Sequence, residues 1–167
     1  RQYQSLKEIL ELSCRRFRDL PAFTNMGASI TYRELERLTA QFGACLQQQA
    51  GLGKGARVAL MMPNLLQYPV ALFGALRAGM TVVNVNPMYT ARELRHQLRD
   101  SGAQAIVVLE NFAHTLQEVL ADTALETVIT TRIGDMLPLP RSLLVNFVVK
   151  HVKHMVPEWK LEGALGW

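Results

Sequence analysis

The chain has 167 residues, 49% of them apolar and 19% charged, and carries a net charge of +4 with an isoelectric point near 9.3. That length and composition suit one compact domain with a real core and exclude a disordered tail. The basic residues are scattered over helices beside acidic neighbours, with no Arg/Lys run interleaved with aromatics, so nucleic acid is excluded as a partner and only an acidic ligand or an anionic surface is favoured. Cys14 and Cys45 stand outside any CxxC pattern, which suits buried thiols in a reducing compartment. No run of 18 apolar residues and no secretory leader is present. The chain opens at Arg1 and not at Met, so a preceding segment is expected.

In chain order, the first predicted element is a helix from Leu6 to about Arg18, opened by Ser5 and Glu8 at capping-box spacing, with Leu6, Ile9, Leu10, Cys14 and Phe17 on one face. Residues 21–26 and Ser29-Ile30, separated by Gly27, predict a short hairpin. Thr31 with Glu34 caps a second helix, striped by Leu35, Leu38, Phe42, Cys45 and Leu46. Residues 1–50 are thus flanking helices and a hairpin. Gly51, Gly53 and Gly55 lead into a core over residues 57–131.

That core reads as two consecutive βαβ units. The strands are Arg57 to Met62, Thr81 to Val85 and Ala105 to Leu109, short and nearly all apolar, as a parallel sheet with helices on both faces requires. Asn64 with Gln67, and Thr90 with Glu93, have capping-box spacing for the intervening helices, which run to Arg77 and from Ala91 to Asp100. Gly79 and Ser101-Gly102 stand where left-handed caps fall. A helix beginning at or just after Asn111, with Leu116, Val119 and Leu120, leads to a further strand, Thr127 to Thr131. Ser142 then opens an amphipathic helix over residues 142–156, striped by Leu143, Leu144, Phe147, Val148, Val152 and Met155, with Lys150, Lys153 and His154 elsewhere on it and Pro157 ending it. The last ten residues carry no predicted element, so the chain reads as cut and not finished.

The signatures that an α/β sheet invites are missing. Gly51-x-Gly53-x-Gly55 precedes a strand, the wrong context for a dinucleotide fingerprint, and there is no GxxxxGK[ST] loop or GxSxG elbow. His151 and His154 have no further ligand at metal spacing. No catalytic constellation and no metal site is predicted. Ligands of open α/β sheets sit beyond the carboxyl ends of the strands, and the richest such end here is residues 84–89. Asn64, Asn86, Met88 and Tyr89 are therefore the candidate substrate-contacting residues.

The block from Arg57 to Leu94 resembles the N-terminal region of bacterial long-chain fatty acyl-CoA synthetases, members of the adenylate-forming superfamily. Supporting matches are Ala22-Phe23, Thr31 to Leu35, Asp100 to Ala103, Asn111 to Leu116 and Val145 to Lys150. The resemblance implies that residues 1–167 are the N-terminal portion of an AMP-binding domain, part of the large N-terminal domain of the adenylate-forming fold. It implies a parent enzyme that converts a fatty acid with ATP and Mg²⁺ to an acyl-adenylate and passes the acyl group to CoA. The family's phosphate loop, Tyr-Gly-x-Thr-Glu segment, ribose-binding Asp and catalytic Lys have no match here, so no cofactor is expected on this segment alone. Met61, Met62, Met88 and Phe73 are candidates for the wall of an acyl pocket, which must be apolar because each buried CH₂ contributes about 0.8 kcal/mol.

Two readings of other classes stand beside it. One is a self-standing acyl- or nucleotide-binding module without chemistry. The other is a peripheral membrane or interaction domain that uses the lysine-bearing helix after Ser142. The expected location is cytoplasmic, with peripheral association at the cytoplasmic face of the inner membrane, and an apolar face left open would favour a homodimer.

Overall fold

The computed structural model describes residues 3–167; Arg1 and Gln2, and with them the opening of the chain, lie outside the described residues. The chain divides into two compact units, neither of them continuous. Of the described residues, the first is made of 3–56 and 64–82, the second of 57–63 and 83–167.

The first unit begins with α1, Leu6–Arg16, capped by the Ser5 hydroxyl, which accepts from the Glu8 N–H. It ends at Arg16, two residues before the predicted Arg18, and the N–H of its C-cap Phe17 returns to the Ser13 carbonyl. The hairpin pairs β1, Pro21–Asn25, with β2, Ala28–Thr31, in antiparallel register. Its turn holds Met26 and Gly27 at positive φ. The helix α2, Tyr32–Gln48, starts with a full capping box: Thr31 and Glu34 satisfy each other's backbone N–H groups. Against α2 lies α3, Gln67–Arg77.

Here one predicted cap fails. The N-cap of α3 is Leu66, with no side-chain hydrogen bond. Gln67 is buried, and the Asn64 carbonyl accepts from Asn25 Nδ2 at 3.0 Å. A tertiary hydrogen bond from the hairpin thus holds the residue that spacing alone assigns to the helix start.

The second unit is built on a sheet of order β4-β3-β5-β6-β7. The strands are β3, Arg57–Met61; β4, Thr81–Asn84, of which Val83 and Asn84 belong to this unit; β5, Ala105–Leu109; β6, Thr127–Thr131; and β7, Leu165–Gly166. Pairs β3–β5, β5–β6 and β6–β7 are parallel. The Val85 N–H donates to the Leu60 carbonyl beside them. The strand β7 overturns the expectation of a final stretch without structure: Ile129 and Thr130 pair with Leu165 and Gly166, and the Trp167 N–H donates to the Thr130 carbonyl. Two residues are too short for a periodic signal, so only the pairing reveals them.

One alternation of the strands, Ala59, Met61, Ile106, Val108 and Val128, forms a core with Leu94 and Leu98 of α4, Ala91–Ser101, and with Ala113 and Leu116 of α5, Ala113–Gln117. The helix α4 has the expected Thr90–Glu93 capping box and a left-handed Gly102 after it. The helix after Asn111 is shorter than its pattern. Three-residue 3₁₀ turns, Glu110–Phe112 and Leu120–Asp122, flank α5, so Val119 and Leu120 reach the core from beyond its end.

The last helix also departs from its prediction. It starts at Arg141, with Pro140 as N-cap, runs to Phe147 as α6, and continues as a π turn, Val148–Val152. Lys153 closes it, His154 stands at positive φ, and Met155 lies outside it. Among the described residues, no helix is long and apolar enough to cross a membrane.

Candidate functional site

The chain runs from β3 outward to β4 and then returns to β5 on the other side of β3, so the order of the sheet reverses between β3 and β5. In an open α/β sheet this switch point is where a crevice opens beyond the carboxyl ends of the strands. The adjoining residues are Met62 and Pro63 after β3, and Glu110 and Asn111 after β5.

Glu110 is a buried carboxyl, 6% exposed. Burial raises its pKa above the ordinary glutamate value, opposed by the positive charges of Lys150 and Arg132. Asn111 donates from Nδ2 to the Met155 carbonyl at 2.8 Å, while its Oδ1 is buried without a hydrogen-bond partner. After β6, Asp135 accepts from the Arg132 N–H at 2.8 Å and from Arg132 Nε at 3.0 Å. Asn146 Nδ2 donates to the same carboxylate at 3.1 Å, and Asn146 Oδ1 accepts from the Gly134 N–H at 2.7 Å. A bonded loop thereby fastens α6 to the end of β6.

Of the four predicted residues, Asn86, Met88 and Tyr89 lie in the second unit and Asn64 in the first. Asn86 follows β4, the outer strand, and its carboxamide oxygen accepts from the Met88 N–H at 3.0 Å. The Tyr89 N–H donates to the Asn86 carbonyl at 3.1 Å. Asn86 therefore shapes its own turn. Met88 is 77% exposed. Tyr89 rests partly on the core and edges a shallow groove of about 560 Å³ with Arg92, Glu93, His96, Gln97 and Asp100. Asn64 borders a second groove, about 380 Å³, whose walls are Phe23, Leu65, Tyr68, Pro69, Leu72 and Phe73.

Sequence reasoning placed Glu110 and Asn111 at a strand end but ranked residues 84–89 above them, and passed over Asp135 and Asn146. The signal available was an acid immediately after five apolar strand residues, Ala105 to Leu109. The partners of Asp135 come from 3 and 11 positions away, which no local pattern announces.

The comparisons with known proteins add to this geometry. The chain is 60% identical over 166 residues to the long-chain-fatty-acid–CoA ligase of Escherichia coli O157:H7, covering 99% of this chain and 30% of that protein. A crystal structure of a long-chain-fatty-acid-CoA ligase from Archaeoglobus fulgidus superposes with a TM-score of 0.70 at 26% identity, over 84% of this chain and 29% of that one. The anthranilate CoA ligase AuaEII, at 20% identity and a TM-score of 0.76 over 98% of this chain and 27% of that one, shares the fold. The chain thus spans about 30% of the length of the long-chain-fatty-acid–CoA ligases it matches. Residues 10–161 match the profile of the AMP-binding enzyme family, and with nearly its whole length inside that match the chain belongs to the family of AMP-binding enzymes.

Proposed function

We propose that this chain is the N-terminal part of a long-chain fatty acid–CoA ligase, an enzyme that activates a fatty acid with ATP to acyl-AMP and then transfers the acyl group to CoA. The observation that carries this reading is the 60% identity to the Escherichia coli ligase across 99% of the chain. Fatty acid, ATP and CoA are its substrates, and the parent enzyme works in the cytoplasm with peripheral attachment to the inner membrane surface and an ability to self-associate as a homodimer.

On this reading the 167 residues supply scaffold and part of a cleft wall, and do not carry the reaction alone. Mg²⁺ would serve the parent by holding the triphosphate of ATP. The donors present do not fit it: among the described residues no three His, Cys, Asp or Glu side chains converge, and Asn86 spends its carboxamide oxygen on its own turn. Met88 and Tyr89 remain the strand-end groups we assign to ligand contact in the second unit, and Asn64 in the first.

The test is a chimera in which these residues replace the corresponding stretch of the Escherichia coli ligase. The expected outcome is retained palmitoyl-CoA synthesis, measured as AMP release that depends on both fatty acid and CoA. A folded chimera that adenylates only short or aromatic acids would sink the long-chain reading. Calorimetric titration of the isolated chain with ATP·Mg²⁺ is expected to give no heat of binding, and micromolar binding would return the reaction site to this segment.

A further inference from the structure

We infer that residues 148–158 form a strap over the carboxyl end of β5, and that the proton on Glu110 decides how firmly it closes. The strap hangs between two fixed anchors of the second unit. At the near anchor Asn146 is bonded to Gly134 and Asp135, and α6 packs so closely that a Cβ on Gly134 would stand 2.7 Å from the Ser142 carbonyl oxygen. At the far anchor the Lys160 N–H donates to Gln117 Oε1 at 2.6 Å, Leu161 is buried and Trp159 packs on the core. Apart from the bonds that continue α6 into the π turn, one hydrogen bond among the described residues ties the strap down: Asn111 Nδ2 donates to the Met155 carbonyl at 2.8 Å.

The backbone of the strap is not a regular helix. The Lys153 N–H donates to the Val148 carbonyl at 2.8 Å and the Met155 N–H to the Val149 carbonyl at 3.1 Å, spanning five and six residues in place of four, and His154 between them has a positive φ. Such a backbone is held by its surroundings more than by its own ladder. Every contact that holds it lies inside the chain, so the strap stands apart from the activity proposed above.

Beneath it lie Glu110 and Asn111, 6% and 8% exposed, and groups buried here stay buried whatever else packs around them. A carboxylate in this place loses its water, and that desolvation raises the pKa of Glu110. Lys150 on the strap and Arg132 after β6 attract the ionised form and Asp135 repels it, while the neighbouring end of β3, Met61 to Pro63, brings no charge. Desolvation outweighs the attractions, so the closed strap favours the neutral acid, and opening, which returns water to the carboxyl, favours the carboxylate. Closure also leaves Asn111 Oδ1 buried without a partner, a loss that water makes good on opening. One catch is thus set against two desolvated groups. Closure is firm below the unfolded glutamate value and is lost progressively as pH rises through the folded pKa of Glu110. Opening uncovers the switch point of the sheet, where crevices of such sheets take their ligands, so access to that end of the sheet becomes pH-dependent.

Hydrogen exchange of the 167-residue chain between pH 4.5 and about 8, read by mass spectrometry and corrected for the intrinsic rate at each pH, tests this. The expected result is protection over residues 148–156 that falls about ten-fold per pH unit above 4.5 and levels off above the folded pKa of Glu110, while β5 and β6 stay protected. Glu110→Gln, which cannot ionise, should keep the strap protected at every pH. Lys150→Gln, at an exposed position, removes an attraction for the carboxylate and should move the levelling-off to higher pH. Protection of the parent chain that does not change with pH would overturn the inference, as would a fall that survives Glu110→Gln or a levelling-off that Lys150→Gln leaves in place. A fall shared by β5 and β6 would be unfolding of the whole unit, and would overturn the strap.

Discussion

At the scale of single residues, two glycines decide how α2 meets α3. A Cβ on Gly43 would stand 2.9 Å from the Gly74 carbonyl oxygen, and one on Gly74 would stand 2.9 Å from Phe42 Cδ1 and 3.0 Å from the Thr39 carbonyl oxygen. Alanine normally gains up to about 1 kcal/mol over glycine inside a helix. Here the carbonyl oxygens of Thr39 and Gly74 are fixed by their helices and the Phe42 side chain beside them is buried, so overpacking outweighs propensity. Gly74→Ala is expected to destabilise the chain by about 1–3 kcal/mol, measured by urea unfolding; a rise in stability would show that the helices separate freely. The cysteines differ for a related reason. Cys14 is fully buried, and desolvation first, then the Glu36 charge, raise its pKa. Titration of the native chain with a thiol reagent should therefore modify Cys45 rapidly and Cys14 only on unfolding. Equal rates would contradict the packing of α1. Neither glycine is conspicuous in the sequence, because each is defined by an approach from the other helix.

At the scale of elements, local chemistry was legible where both members of a device lie within a few residues. Ser5, Thr31 and Thr90 cap their helices, Gly102 closes α4, and β5 and β6 span their predicted residues. Thr31→Ala should cost about 1 kcal/mol, read as a lowered midpoint in thermal unfolding. Leu98 is fully buried between α4 and the sheet, and Leu98→Ala is expected to cost about 2–5 kcal/mol; a loss below the cost of the cap would mean that the core of the second unit is loosely packed. Illegible elements were those set by distant partners. Asn25 holds Asn64 from 39 residues away, and β7 exists only through β6. The switch point of the sheet was illegible for the same reason. The composition of residues 84–89 made that loop conspicuous, yet the order of strands, a property of the folded sheet, puts the switch point beside Glu110 and Asn111.

At the scale of the whole molecule, the buried and capping carboxyls oppose each other in their response to pH. Glu34 and Glu93 have lowered pKa values because backbone N–H and hydroxyl groups of Thr31 and Thr90 bond their carboxylates. Their contribution is present above the unfolded glutamate value of 4.5 and fades as pH falls through the folded value. Glu110, raised chiefly by burial, contributes below 4.5 and is lost as pH rises through its folded pKa. Glu110→Gln should accordingly gain thermal midpoint relative to the parent as pH climbs from 4 towards 8, and a constant difference across that range would refute the assignment. Breadth of stability around mildly acid pH is the expected sum.

The interleaving of the two units has a consequence in time. Strand β3 is threaded between the halves of the first unit, and its partner β5 is made roughly 40 residues later. At a synthesis rate of about 5–20 residues per second, one edge of a five-residue strand with four buried side chains waits roughly 2–8 seconds for its neighbour. During that interval the nascent chain offers an unpaired apolar edge to any other extended segment nearby. The period of greatest exposure to misassembly and to chaperone capture is thus written into the order in which the strands leave the ribosome.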